Sequence, residues 1–449
     1  MTYTLPPGPR PKPVVGNILD FRRGQLNFVT GLQRKYGKAS TFYFGQTPMI
    51  MFATPEAVRY VLVENAKNFT IRDVAQGLRL LLGDGLLTTD GEFHRRQRRL
   101  MLPAFHRKRV ESYRDTMIAY TERMLEDWQP GQQLDISGEM QRLTLRIVAR
   151  ALFDVDLTQE SSALGAAFNN VREYPNRRRF SWRGLRIDLP FMPYGKFIRA
   201  KALLDETVYG IIAHRRATGE DTGDVLSMLL AARDEDGSAL TDKQVRDEAM
   251  TLLAAGHETT ANALTWTFYL LSQHPTERDK LLAELRTVLN GRAPTVEDLA
   301  KLPYLEMVIK ESMRLYPPAW LLGRRAECDY DLEGYHLPAG SFAILSPWVF
   351  HHMAEYFPEP ERFIPERFDP ETGEKHPPFS YFPFGAGSRM CIGSTFAMME
   401  ARLLLATIIQ RYTPVLVPGH PVVPRPMVTL RTKFGMQMIL EPTKEAALV

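Results

Sequence analysis

Two short stretches of this chain hold residue types suited to chemistry rather than packing. The first is Phe384-Gly385-Ala386-Gly387-Ser388-Arg389-Met390-Cys391-Ile392-Gly393, a glycine-rich loop feeding an apolar segment with helical spacing. A cysteine at a helix N-terminus meets amide N–H groups and the positive end of the dipole, which favour the metal-ligating thiolate. Glycines at 385, 387 and 393 permit tight turns and close approach to a flat group, and Arg389 offers a guanidinium fork to a carboxylate. Taken alone, the loop fits a buried structural cysteine equally well. The second stretch, Ala255-Gly256-His257-Glu258-Thr259-Thr260, sets polar residues in the middle of a long apolar pattern. Unpaired polar groups there cost roughly 2–7 kcal/mol each, so they need partners or a function. Ala255 and Thr259 stand four apart and share a helix face; His257 reads as structural or solvent-linked.

The elements that must carry these stretches follow from periodicity and caps. A T-x-x-Q capping box at Thr241 and Gln244 opens a helix that runs to His274, before Pro275, a span of roughly 50 Å at 1.5 Å per residue. Ahead of it, Ala39–Gly45 and Pro48–Ala53 read as a hairpin, and the pattern from Pro55 to Gln273 is mostly helical. Beyond it come helices Thr276–Leu289 and Thr295–Tyr316, β-like segments near Tyr330–Leu337 and Ser341–Leu345, an irregular Pro- and aromatic-rich stretch from Ala354 to Phe384, a helix Ile392–Tyr412 and a β-rich tail. The expectation is a mainly α protein, a large helical body with a long central helix and a smaller β-rich lobe, its β parts near 39–53, 330–345 and 413–441. The Pro-rich lead Met1–Asn17 is expected to pack extended on the body.

Composition narrows the partners. A net charge of +4 over 449 residues is too small to mark a nucleic-acid binder. Two cysteines, Cys328 and Cys391, argue against a disulfide scaffold and fit a reducing, cytoplasmic setting. No apolar run is long enough for a membrane span or a signal peptide, so no membrane anchor is expected.

The ten residues from Phe384 to Gly393 resemble the haem-binding signature F-x-x-G-x-R-x-C-x-G of the cytochrome P450 family, and Ala255–Thr260 resembles that family's [A/G]-G-x-[D/E]-T-[T/S] motif. The resemblance implies a P450 fold over residues 1–449 as one domain, without a fused reductase. It implies haem b with Cys391 as axial ligand, a ligand type that favours O–O cleavage, and O₂ admitted past Ala255, with Glu258 and Thr259 as the acid–alcohol pair that handles protons. It makes Glu311-Ser312-Met313-Arg314 the family's E-x-x-R and Arg367, of Pro365–Phe368, its third member; Pro360–Phe363 repeats the string and fits less well. Further haem contacts implied are Phe384, Arg389, Gly393, His94 (where many relatives have tryptophan), Arg98, and Arg324 with Arg325 as fallback. The implied substrate pocket draws on Leu78, Leu82, Leu87, Met250, Ala254, Ala319, Trp320, Leu321 and Phe434.

The expected enzyme is a monomeric monooxygenase hydroxylating, or oxidising at C=C, a lipophilic molecule such as a fatty acid, terpenoid or steroid. Electrons would come from NAD(P)H through a ferredoxin or flavodoxin and its reductase. Seven basic residues within fifteen (Arg95, Arg96, Arg98, Arg99, Arg107, Lys108, Arg109) form the cationic patch expected to receive that acidic donor. A peroxygenase would carry Arg-Pro at 258–259, and a haem-based sensor would not need the acid–alcohol pair.

Overall fold

The computed structural model describes residues 3–154, 192–234 and 237–443, together with 167, 171 and 189. Its axis is the helix Asp242–Gln273, opened by the capping box read from sequence: Gln244 N donates to Thr241 Oγ1 (3.2 Å) and Thr241 N to Gln244 Oε1 (2.8 Å). Pro275 begins the next helix, Pro275–Leu289. The central helix packs most extensively on helix Ile136–Phe153. Gly256 makes that approach possible: a Cβ there would lie 2.7 Å from Val148 Cγ2. Thr144 Oγ1 also donates to the His257 carbonyl (2.9 Å), tying the two helices at the level of the polar stretch.

The β-rich lobe is built on a five-stranded sheet in the order 39–44, 47–52, 342–345, 322–326, 69–70. Its first pair is the expected hairpin, with Ala39 opposite Phe52 and Phe44 opposite Thr47, closed by Gly45 at φ 63° and Gln46. The lead lies extended along it: Thr41 N donates to Pro7 O (3.0 Å), and a Cβ on Gly8 would fall 1.7 Å from Thr41 O. A three-stranded sheet (133–135, 437–442, 412–416) and two small hairpins, 330–332 with 335–337 and 424–426 with 430–432, complete the sheets among the described residues.

Two helices differ from the sequence expectation. The stretch Thr295–Tyr316 is a 3₁₀ turn, Asp298–Lys301, followed by helix Pro303–Leu315. Pro303 has no N–H to continue the first turn and pushes Leu302 out of helical conformation (φ −119°, ψ 60°). The helix expected from Ile392 begins at Ser394 with Gly393 as N-cap, so Cys391 stays in the loop ahead of it. Two large cores result, one among the helices and one in the β lobe; a third surrounds the N-terminal half of the central helix.

Candidate active site

The Cys391 loop is held by its own backbone. Cys391 N donates to Phe384 O (2.9 Å), Gly385 N to Phe382 O (3.0 Å) and Met390 N to Gly387 O (3.0 Å). Gly385 and Gly387 have φ of 71° and 67°, and Gly387 sits so tightly on the segment Tyr60–Glu64 that a Cβ would lie 1.9 Å from Leu62 O. Cys391 keeps accessible surface although protein surrounds it on most sides. Burial pushes the thiol up from its ordinary value; the Gly393 N–H and the Arg98 charge pull the other way. A bound cation reverses such a balance by taking the thiolate.

The middle of the central helix carries the second stretch. Most of its residues are buried, but Ala254, Ala255 and Thr259 form a partly open stripe of small side chains. Ala254 and Ile392, next to Cys391, border the same apolar cluster. Thr259 Oγ1 donates to Ala255 O (2.8 Å), so its lone pairs, rather than its proton, are offered to the open side. Glu258 is buried and turned away from this stripe: its Oε1 accepts from Thr429 Oγ1 and Arg431 Nε. His257 is buried with Nδ1 at 2.7 Å from Leu253 O, a structural placement.

A cluster of cations completes the site. His94, Arg98, Arg324 and Arg389 are close enough to perturb one another. Arg389 pairs with Asp90 (2.7 Å), while neither Arg98 nor Arg324 makes an ion pair among the described residues. Burial first, then Arg389 and its fellow arginines, push His94 down to about 4, so its ring is neutral. Burial first, then Arg389, brings Arg324 down to about 10 against the pull of Asp90. Arg325, its neighbour on strand Leu322–Ala326, points to the other side and pairs with Asp73 (3.1 Å). Such a donor set fits a flat group that carries a thiolate-binding metal and two carboxylates: one thiol, a small-residue face, and more cations than the local anions neutralise.

The family model for cytochrome P450 matches residues 6–438. The chain belongs to the cytochrome P450 family. It is 38% identical over 98% of its length to cyclooctatin synthase of Streptomyces melanosporofaciens (96% of that protein), and 35% identical over 96% to pentalenene oxygenase of Streptomyces avermitilis (95% of that protein). Among solved structures, the retinoic acid-bound cyanobacterial CYP120A1 superposes with a TM-score of 0.88 at 29% identity, covering 99% of this chain and 100% of that one. The protein is therefore a P450 monooxygenase with the mainly α P450 fold, and membership implies a haem iron and O₂ as co-substrate. Among the described residues no helix is long and apolar enough to cross a membrane.

The ion network expected of Glu311, Arg314 and Arg367 is present. Glu311 and Arg314 are both 0% exposed, joined by Nε–Oε2 (2.7 Å) and Nη2–Oε1 (2.9 Å). Arg367 Nε stands 3.4 Å from Glu311 Oε1 and its Nη1 reaches Glu374 (3.1 Å). The earlier copy of the string differs: Arg362 pairs with Glu359 at the surface and lends only its carbonyl to Arg314.

The expected pocket residues differ in exposure. Met250 has no exposed surface, and Leu82 and Trp320 are also packed away, Trp320 with its indole N–H on Met427 O (2.9 Å), so none of the three presents a face to open space. Leu78, Ala254, Ala319 and Leu321 are half-buried, while Leu87 and Phe434 are 43% and 49% exposed. Part of the cationic patch is paired: Arg96 and Arg99 share Asp234, Arg95 pairs with Glu92 and Arg107 with Glu111 (2.7 Å), so three carboxylates meet four of the seven cations. Asp90, Thr429 and Arg431 were not singled out from sequence. Asp90 precedes helix Gly91–Met101 without a side-chain cap bond; its carboxylate accepts from Arg389 and from the backbone of Ile71 (3.1 Å) and Arg72 (2.9 Å).

Proposed function

We propose that this P450 hydroxylates a terpenoid, using electrons from NAD(P)H delivered by a ferredoxin or flavodoxin and its reductase. The observation that carries the substrate class is the similarity to enzymes named cyclooctatin synthase, cyclooctat-9-en-7-ol 5-monooxygenase and pentalenene oxygenase, terpenoid oxidisers that match over nearly the whole chain. An apolar substrate also suits the stripe of Ala254 and Ala255 and the half-buried Ala319, Leu321 and Leu78, which offer contact area but little hydrogen bonding.

Haem, when bound, supplies O₂ activation and the transfer of one oxygen atom. The residues have separate tasks around it. Cys391 would supply the thiolate; Arg98, Arg324, Arg389 and the neutral His94 would hold the carboxylates; Phe384 and Gly393 shape the loop; Ala255, being small, leaves room for O₂. Glu311, Arg314 and Arg367 hold the loop's support rigid. Thr259 offers lone pairs on the oxygen side, and Glu258 carries protons in from the flank. The donor approaches on the cysteine side, where Met390 and Leu102 are exposed apolar residues and Lys108 is an exposed cation. Three carboxylates offset part of the patch, so docking there rests on these apolar residues together with the positive charge that remains.

The test incubates the enzyme with NADPH, a surrogate ferredoxin and reductase, and a panel of cyclic terpene hydrocarbons and alcohols beside fatty acids and steroids. A low-spin to high-spin absorption shift and a hydroxylated product with terpenes support the reading. Shifts and products confined to fatty acids or steroids refute it.

A further inference from the structure

The C-terminal hairpin, Pro424–Pro426 with Leu430–Thr432, is fastened to the central helix at three successive residues. Thr429 Oγ1 accepts from Asn262 Nδ2 (3.1 Å) and donates to Glu258 Oε1. Leu430 O accepts from Trp266 Nε1 (3.2 Å), and Arg431 Nε donates to the same Glu258 oxygen. Leu430 N also donates to Pro318 O (2.9 Å), which fixes the hairpin to the segment leading into the Arg324 strand. Glu258 and Thr259 leave the helix about 100° apart, so from where Arg431 holds it the carboxylate does not share the Thr259 face. Arg431 is itself mostly enclosed (13% of its side chain exposed), and its Nη2 is buried with no hydrogen-bond partner among the described residues. The guanidinium thus keeps one unmade hydrogen bond beside its Glu258 contact, so an acceptor brought to Nη2 would compete with Glu258 for it.

We infer that Arg431, with Thr429, is the positioning residue that governs when Glu258 reaches the Thr259 face, making the C-terminal hairpin the element through which a bound ligand controls proton supply. The inference rests on the reading of Glu258 as proton carrier. In that step the Glu258 carboxylate, released by Arg431, takes a proton from solvent and passes it to a water on the Thr259 side, returning to the carboxylate with no electron transferred. The hairpin is suited to the task because Val428 and Phe434, on either side of Thr429–Arg431, are exposed apolar residues that a substrate can press upon.

The experiment compares Arg431→Gln, Arg431→Lys, Glu258→Gln and the double variant Arg431→Gln/Glu258→Gln in the haem-loaded enzyme. It measures product formed per NADPH, the solvent isotope effect on kcat, substrate Kd by absorption titration, and the thermal unfolding midpoint. Arg431→Gln should lower product per NADPH by about threefold or more and alter the isotope effect, with Kd within about twofold, and Arg431→Lys should recover most of the loss. In unfolding, the double variant should lose no more than the worse single one, because both remove one contact. If Glu258→Gln slows turnover while Arg431→Gln changes neither coupling nor isotope effect, the positioning role is overturned and the proton-carrier reading survives. An unaltered Glu258→Gln overturns both. A roughly tenfold weaker Kd with intact coupling in Arg431→Gln makes it a substrate contact and overturns the proposal, as does equal loss in Arg431→Gln and Arg431→Lys with a lowered midpoint.

Discussion

Arg314 is the side chain whose loss the structure makes easiest to cost. It is fully buried and donates to Glu311 Oε2 (2.7 Å) and Oε1 (2.9 Å) and to the carbonyls of His351 (2.7 Å), Pro360 (2.7 Å) and Arg362 (3.0 Å). Its fork therefore ties one helix to two turns of the irregular stretch that backs the thiolate loop. Breaking a buried ion pair by removing one partner costs about 3–5 kcal/mol, and each orphaned buried carbonyl adds about 1–3 kcal/mol where water does not reach it. Arg314→Ala should thus lose at least about 5 kcal/mol, a large part of the 5–15 kcal/mol that holds a typical domain together. Arg314→Lys keeps the charge, but its single nitrogen has three protons for acceptors spread along the fork, so a loss of about 3 kcal/mol is expected. Burial already pushes the Glu311 carboxyl up in spite of Arg314, the Ile364 N–H and Arg367, so its charge tolerates no loss of support. The assay is urea unfolding followed by tryptophan fluorescence, with haem content measured on the same preparations. Arg314→Lys with a wild-type midpoint and full haem content would refute the idea that this network braces the site.

Four further outcomes follow from particular contacts. His94 is held neutral, pushed down to about 4, so the stability it contributes is fully present above about pH 6.5 and lost as pH falls toward 4; the haem-free protein should weaken by up to about 3 kcal/mol over that window, and His94→Gln should flatten the slope in pH-dependent urea titrations. Gly387→Ala should cut haem incorporation and cost about 2 kcal/mol or more, because it adds a Cβ 1.9 Å from Leu62 O at φ 67°; Gly219→Ala, at φ 65° with nothing within 4 Å, should cost only about 1 kcal/mol by the same denaturation assay. Arg324→Gln should weaken haem retention in a transfer assay to apomyoglobin, whereas Arg325→Gln, which loses only the pair with Asp73, should leave it unchanged. Thr259→Ala should keep consuming NADPH while releasing more peroxide and less product, and an unchanged product-to-NADPH ratio would count against its role.

Features set by local chemistry were legible before any coordinates. The capping box at Thr241, the stop at Pro275 and the hairpin at 39–52 each depend on a few adjacent residues, and each is present. The i, i+3 pair Glu311–Arg314 was equally readable, although its burial was not, because that depends on His351, Pro360 and Arg362 folding over it. Pro303 was in plain view, yet the stretch 295–316 reads as continuous when apolar spacing alone is followed. The pocket suffered in the same way: Met250 and Leu82 carry the right chemistry for a lipophilic site, and only tertiary packing shows that their surfaces are spent on a core.

Direction and charge balance were the least accessible properties, for one physical reason. A side chain's field is set by whatever reaches it, and the partners here come from far along the chain. Glu258 and Thr259 look like a unit because they are adjacent, but a helix separates neighbours by about 100°. The partners that turn Glu258 away, Thr429 and Arg431, lie more than a hundred residues downstream. The cationic run at 95–109 looked like a docking field for the same reason. Asp234 lies between Arg96 and Arg99, so reversing the charge of those two arginines would break a structural contact as well as change the surface potential. Lys108, exposed and without an ion pair among the described residues, is the place to test partner docking without that complication. Lys108→Glu should slow the first electron from an acidic ferredoxin and flatten its salt dependence while leaving the unfolding midpoint unchanged. An unaltered rate and salt slope would move the donor's footprint off this face.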